Sequence, residues 1–327
     1  MTQGRIEIEE GQETIKARLR SGLIAGIRKG WGSFLWMLKI IVPTSLVVTL
    51  LQWSGWLYRA DFVLSPLMSW INLPSEAALP IISGMLINIY AAIAVMAIIP
   101  FSVGQMTLIA VFALICHNLI TEGIIQHRSG INGIKITFIR IGAAIITVLI
   151  ISQFFGETTN SLALPASLSP QSPLGEVLKV WALDMLRLLL KILGIIMGIM
   201  TILESLRRLG WTGYLYNFFR PFMRVLGLSH RSVVLWVTAV FFGLMYGGAI
   251  IRQEAQQEGL TKKELEYLHI SIGINHSMVE DPALFLALGL NGFWLWVPKL
   301  LMAIITVHTF RAVGYLLNRV RLVRARE

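Results

Sequence analysis

A single cysteine, Cys116, in 327 residues excludes an intrachain disulfide and a thiolate metal cluster. Charge is also scarce: Asp, Glu, Lys and Arg make up 14% of the chain, where soluble domains carry about a quarter. The HExxH helix of zinc proteases is absent, and His117 and Glu122 have the wrong spacing for it. "GINGIK" lacks the Lys-Ser/Thr and the strand-turn-helix setting of a phosphate loop. No enzymatic signature is left, and the chain reads as a non-enzyme. A leader is missing too: the first thirty residues are polar and mixed in charge, so the N-terminus reads as retained.

What is present is apolar. Hydrophobic residues are 55% of the chain and the mean hydropathy is +0.70. Nearly uncharged runs fall at 34–51, 77–100, 106–120, 136–154, 192–203, 233–251 and 300–317. Several approach the roughly 20 residues that cross about 30 Å of hydrocarbon as a helix. Lipid satisfies no backbone polar group, and the runs lack the alternation of barrel strands, so the fold class is an all-α polytopic membrane protein.

The net charge of +10 does not point to nucleic acid, because the bases sit at the edges of apolar runs and in the tail "RVRLVRARE". They read as orientation signals. Ile15, Leu19, Leu23, Ile27 and Trp31, interleaved with Lys and Arg, predict an amphipathic surface helix within 1–31 on an anionic membrane face.

An internal repeat organises the rest. At an offset of 159, the separation of His117 and His276, "ICHNLITEG" at 115–123 aligns with "INHSMVEDP" at 274–282. Gly130, Asn132 and Gly133 then fall on Gly289, Asn291 and Gly292, Arg140 on Lys299, and "AIITV" on an identical "AIITV". The weight rests on the polar and glycine matches, since Ile and Val coincide in any two membrane helices. The predicted divisions are a first membrane repeat at 32–153, an extracytoplasmic linker at 154–178, a second repeat at 179–318 and a basic cytoplasmic tail at 319–327.

Residues 53–76 carry one basic residue, Arg59, whereas 206–231 carry five arginines. Equivalent loops then face opposite sides, the mark of inverted-topology repeats. With both termini cytoplasmic in an inner membrane, each copy crosses an odd number of times: about three full spans plus a broken or re-entrant helix at the His-containing segment.

His276 and Glu280 share a helical face, with Asp281 one step round; in the first copy Glu122 takes the Asp281 position and Thr121 that of Glu280. Ionisable groups at membrane depth are costly unless paired or hydrated, so they usually line a cavity. Capping of helix ends is the plain alternative, but the same His-to-acid spacing in both copies favours a site. His117, Asn118, Glu122, Asn275, His276, Glu280 and Asp281 are the candidate substrate- or ion-binding residues, with Asn132 and Asn291 secondary. His117, Glu122, His276 and Asp281 are also candidate metal ligands; imidazole and carboxylate can equally relay protons or hydrogen-bond a solute. The chemistry leaves cofactors unknown.

"HNLITEG" and "HSMVEDP", each followed by GxNG, resemble the nucleoside-recognition or Gate domain membrane proteins, similar to the bacterial spore maturation proteins A and B joined in one chain. Related segments occur in concentrative nucleoside transporters and ferrous-iron transporters. The resemblance implies a solute permease or an export-related protein, with the bilayer and a small polar solute or cation as partners and a homo-oligomer left open. The competing expectation is a non-transporting scaffold that assembles partner proteins.

Overall fold

The computed structural model describes residues 15–54, 68–156, 173–243 and 259–324, and its elements among these are helices. Most of the linker, the extreme N-terminus and the last three residues of the tail lie outside the described residues. By length and composition five segments among the described residues can cross a membrane: Ile15–Trp53, Val103–Arg128, Gly133–Ser152, Leu174–Arg208 and Gly292–Leu317. The protein is a multi-pass membrane protein whose apolar outer surface, including Phe138, Ile146, Ile150, Leu301 and Ile305, is covered by lipid.

Two long helices run side by side. α1 (Ile15–Trp53) is 39 residues and α7 (Leu174–Arg208) is 35, about 50–60 Å each at 1.5 Å per residue. Gly22, Gly26 and Gly30 of α1 fall opposite Ser205, Thr201 and Met197 of α7, so the pair is antiparallel. Glycine at every fourth position removes the side chains from one face and lets two backbones approach closely. The helix does not stop at Trp31. Residues 15–31 continue into the apolar run, their glycine face against α7 and Ile15, Leu19, Leu23, Ile27 and Trp31 outward. Lys29 Nζ reaches Glu204 Oε1 at 2.6 Å across the same seam.

The run at 77–100 is not one span. It folds as α2 (Ala78–Leu86) and α3 (Ile89–Met96), which pack together with Gly84 against Ala92. Asn88 divides them: its backbone is extended and its side chain accepts the Ala91 N–H, so a polar cap interrupts an otherwise uniformly apolar sequence.

α4 (Val103–Cys116), α5 (Leu119–Arg128) and α6 (Gly133–Ser152) follow in the first copy. After α7 come α8 (Thr212–Phe219), α9 (Phe222–Val225), α10 (Val233–Phe242), α11 (Lys262–Asn275), α12 (Glu280–Leu286) and α13 (Gly292–Arg324). α4 and α11 begin and end at positions 159 apart, and both open with a capping box, Ser102 with Gln105 and Thr261 with Glu264. α4, α6, α11 and α13 pack on one another as the centre of the molecule. α11 approaches α6 at Gly273, where a Cβ would meet Gln126, Ile136 and the Arg140 stem.

Candidate functional site

Both His-containing segments break. α4 ends at Cys116, His117 is extended and Asn118 turns left-handed at φ 54° before α5 starts. α11 ends at Asn275, His276 is extended and Ser277 turns left-handed at φ 49° ahead of α12. Left-handed backbone is uncommon outside glycine, and here it recurs at the same repeat position.

The freed backbone groups find partners inside the protein, as membrane depth requires. The Asn118 N–H donates to Gly84 O at 2.9 Å, while the Ser277 and Met278 N–H groups donate to Ala239 and Val240 O at 3.3 and 2.7 Å. On the carbonyl side, Arg140 of α6 donates from Nε to Ile115 O and from Nη2 to His117 O, both at 2.8 Å. Its counterpart Lys299 of α13 donates to His276 O at 2.7 Å. A buried cation thus sits at the C-terminal end of each broken helix, where the helix dipole favours it. Glu122, Glu280 and Asp281 occupy the first turns of α5 and α12, where the dipole favours carboxylates.

These four helix ends bring the polar side chains together. His117 Nε2 and His276 Nε2 are 3.1 Å apart. Glu122 Oε1 lies 3.0 Å from His276 Nε2 and 3.5 Å from His117 Nε2, and Asp281 Oδ2 lies 3.3 Å from His117 Nε2. The other Glu122 oxygen, Oε2, accepts from Arg140 Nη1 at 2.6 Å. Both imidazoles are oriented alike: each Nδ1 is 3.0 Å from the carbonyl four residues earlier, Ala113 or Ile272. A carbonyl only accepts, so Nδ1 carries the hydrogen in both rings.

A cavity of about 490 Å³ opens onto this cluster, bounded by Lys29, Trp36, Tyr90, His117, Asn118, Glu122, Ser277, Glu280 and Asp281 among others. Glu280 Oε1 accepts the Tyr90 hydroxyl at 2.8 Å, and Trp36 packs edge-on to Tyr90.

Of the sequence candidates, His117, Asn118, Glu122, Glu280 and Asp281 line the cavity, and His276 stands directly behind His117. Asn275 is fully buried and its side chain has no hydrogen-bond partner among the described residues. Asn132 and Asn291 accept the Lys135 and Phe293 N–H groups at the starts of α6 and α13, away from the cavity wall. Trp296 donates to Met278 O, and Trp294 stacks among Phe154, Phe155 and Phe293. His269, earlier on α11, is fully buried.

Sequence reasoning missed Arg140, Lys299, Tyr90 and Trp36. For the first two the signal existed, a basic residue recurring at one repeat position inside apolar runs. Tyr90 has Ala249 as its counterpart, so the repeat gives no sign of it.

Fold and site together define a multi-pass α-helical membrane protein with ionisable side chains gathered at the breaks of two internal helices. The chain belongs to the Gate family, whose description is nucleoside recognition: residues 34–129 match the family model, and the chain is similar to the uncharacterized membrane protein YvoD of Bacillus subtilis, 33% identical over 299 residues, covering 88% of this chain and 90% of that one. No solved structure matches the chain. The segment matched by the family model carries His117, Asn118 and Glu122, while Arg140, His276, Asp281 and Lys299 lie beyond it.

Proposed function

We propose that the protein is a permease of the bacterial cytoplasmic membrane, without enzymatic activity, that carries a small polar solute or cation through the cavity bounded by α1, α3 and the breaks at His117 and His276. The observation that carries this reading is the cavity itself: about 490 Å³, within the range of small-molecule sites, with His117, Glu122, Glu280 and Asp281 on its wall inside a membrane bundle. Transporters built from repeats place their sites at such broken helices.

The packing of α1 on α7 supports an inverted relation between the two copies. They are counterparts in the repeat and run antiparallel, with the basic residues Lys16, Arg18, Arg20, Arg28 and Lys29 of one beside Arg207 and Arg208 of the other. An excess of basic residues marks a cytoplasmic face, so both termini are read as cytoplasmic.

Access to the cavity is the direct test. In a Cys116→Ser background, Ser33→Cys on the α1 wall is expected to react with a membrane-impermeant maleimide applied to either face of sealed vesicles. Reaction from one face only describes a closed receptor pocket or a scaffold, and overturns the permease reading. The solute is to be found by thermal-shift screening of nucleosides, small organic anions and divalent cations. A solute bound in the cavity is expected to lose at least tenfold in affinity in Glu280→Gln, because the carboxylate that Tyr90 holds faces it; an unchanged shift removes Glu280 from the site.

A further inference from the structure

The atoms that meet between the two helix breaks are all acceptors. With Nδ1–H committed to a backbone carbonyl in both rings, the Nε2 atoms of His117 and His276 present lone pairs to each other at 3.1 Å. Glu122 Oε1 and Asp281 Oδ2 add two carboxylate oxygens at 3.0 to 3.5 Å. Asp281 Oδ2 is buried and receives no hydrogen bond from the described residues. The nearby cations do not relieve this convergence: Arg140 faces the outer Glu122 oxygen and two carbonyls, and Lys299 donates to the His276 carbonyl. One proton can bridge only one of these lone-pair encounters. A cation at the centre answers for all of them.

The spacing says which cation. Four ligands held tetrahedrally at 2.0–2.1 Å from a metal are about 3.3 Å from one another along six edges, and four of those six edges here are 3.0, 3.1, 3.3 and 3.5 Å. The ligand atoms of His117, His276 and Asp281 all lie within 4.8 Å of one another. Each ring is held through its other nitrogen by a backbone carbonyl, as metal-ligating histidines are, and Arg140 orients Glu122 through its far oxygen. Imidazole nitrogens select first-row transition ions over magnesium and calcium, and the missing thiolate argues against copper(I).

We infer that His117, His276 and Asp281, with Glu122 completing the set, bind one divalent first-row transition-metal ion at the inner wall of the cavity. The inference deepens the permease reading by assigning a cation to that site.

The test uses the full-length chain in detergent, stripped with a chelator and titrated with Co²⁺ alone. One equivalent is expected to bind with the intense visible absorption of four-coordinate cobalt, displaced by Zn²⁺. His117→Gln and Asp281→Asn are each expected to weaken binding by more than the roughly 10–100-fold that loss of a supporting group costs, whereas Arg187→Gln, at the exposed Arg187–Asp184 pair of α7, leaves it unchanged. X-ray absorption of the unaltered Zn²⁺-loaded chain keeps the test independent of how the variants fold: a shell of nitrogen and oxygen containing two imidazoles is expected. A folded chain that takes up no ion, a shell without imidazole, or unaltered affinity in both ligand variants overturns the inference. Metal bound by a chain whose cavity opens to one face alone removes the permease reading and keeps the site; access from both faces in a chain that holds no metal does the reverse.

Discussion

Arg140→Met is expected to be the most damaging single substitution at the site, costing about 3–5 kcal/mol because it strands a buried carboxylate without its partner. In the fold, Arg140 is 1% exposed and Glu122 is 3% exposed, with Nη1 to Oε2 at 2.6 Å. Two carbonyls at the end of α4 also lose their donors, and an unsatisfied buried acceptor costs on the order of 1–3 kcal/mol. The melting temperature in detergent should fall by on the order of 10 °C. Arg140→Lys, which copies the second repeat, should recover part of the loss. Arg140→Met with Glu122→Met should be less unstable than Arg140→Met alone, since it removes the stranded charge. If the double variant is as unstable as the sum of the two single ones, the pair is not the source of the effect. Glu122→Gln therefore perturbs folding as well as any ligand, and Tyr90→Phe is the cleaner probe of the cavity.

Gly26→Leu is expected to part α1 from α7. A Cβ built on Gly26 would overlap Thr201 Cα and lie 2.8 Å from Met200 O. Both are backbone atoms, so no rotamer change makes room, and the helices must separate or slide. Overpacking by even a methyl group costs about 1–3 kcal/mol, and leucine adds three carbons more. Separation also pulls Lys29 from Glu204. Gly32→Leu, on the same helix with nothing within 4 Å of its Cβ, serves as the control. Equal thermal stability of the two variants in detergent would show that the glycine seam is not what joins the helices.

Much of this was legible in the sequence because it repeats. The offset of 159 located both breaks, since His followed within a few residues by an acid and then GxNG is improbable in a membrane helix by composition alone. The same matches contained Arg140 over Lys299, but their role was hidden: a lone base in an apolar run looks like a boundary signal until the chain is folded and it is seen to meet the carbonyls of another helix. The division of 77–100 into α2 and α3 was hidden for a different reason. One asparagine, Asn88, makes the break, and its neighbours are apolar on both sides. Tyr90, Trp36 and Lys29 reach the cavity only through tertiary packing of α1 on α3, for which no local pattern exists.

The pairing of α1 with α7 also bears on the relation between the two halves. Gly22 meets Ser205, the counterpart of Leu46, while Ser45 meets Trp181, the counterpart of Gly22. The first contact is thus answered, within one residue, by its own exchange of partners. That is the interface that two antiparallel copies of one half would make. In one joined chain the two sides of such an interface need not match, and at the paired positions they do not: arginine stands against lysine, glutamate against aspartate, and a tyrosine opposite an alanine.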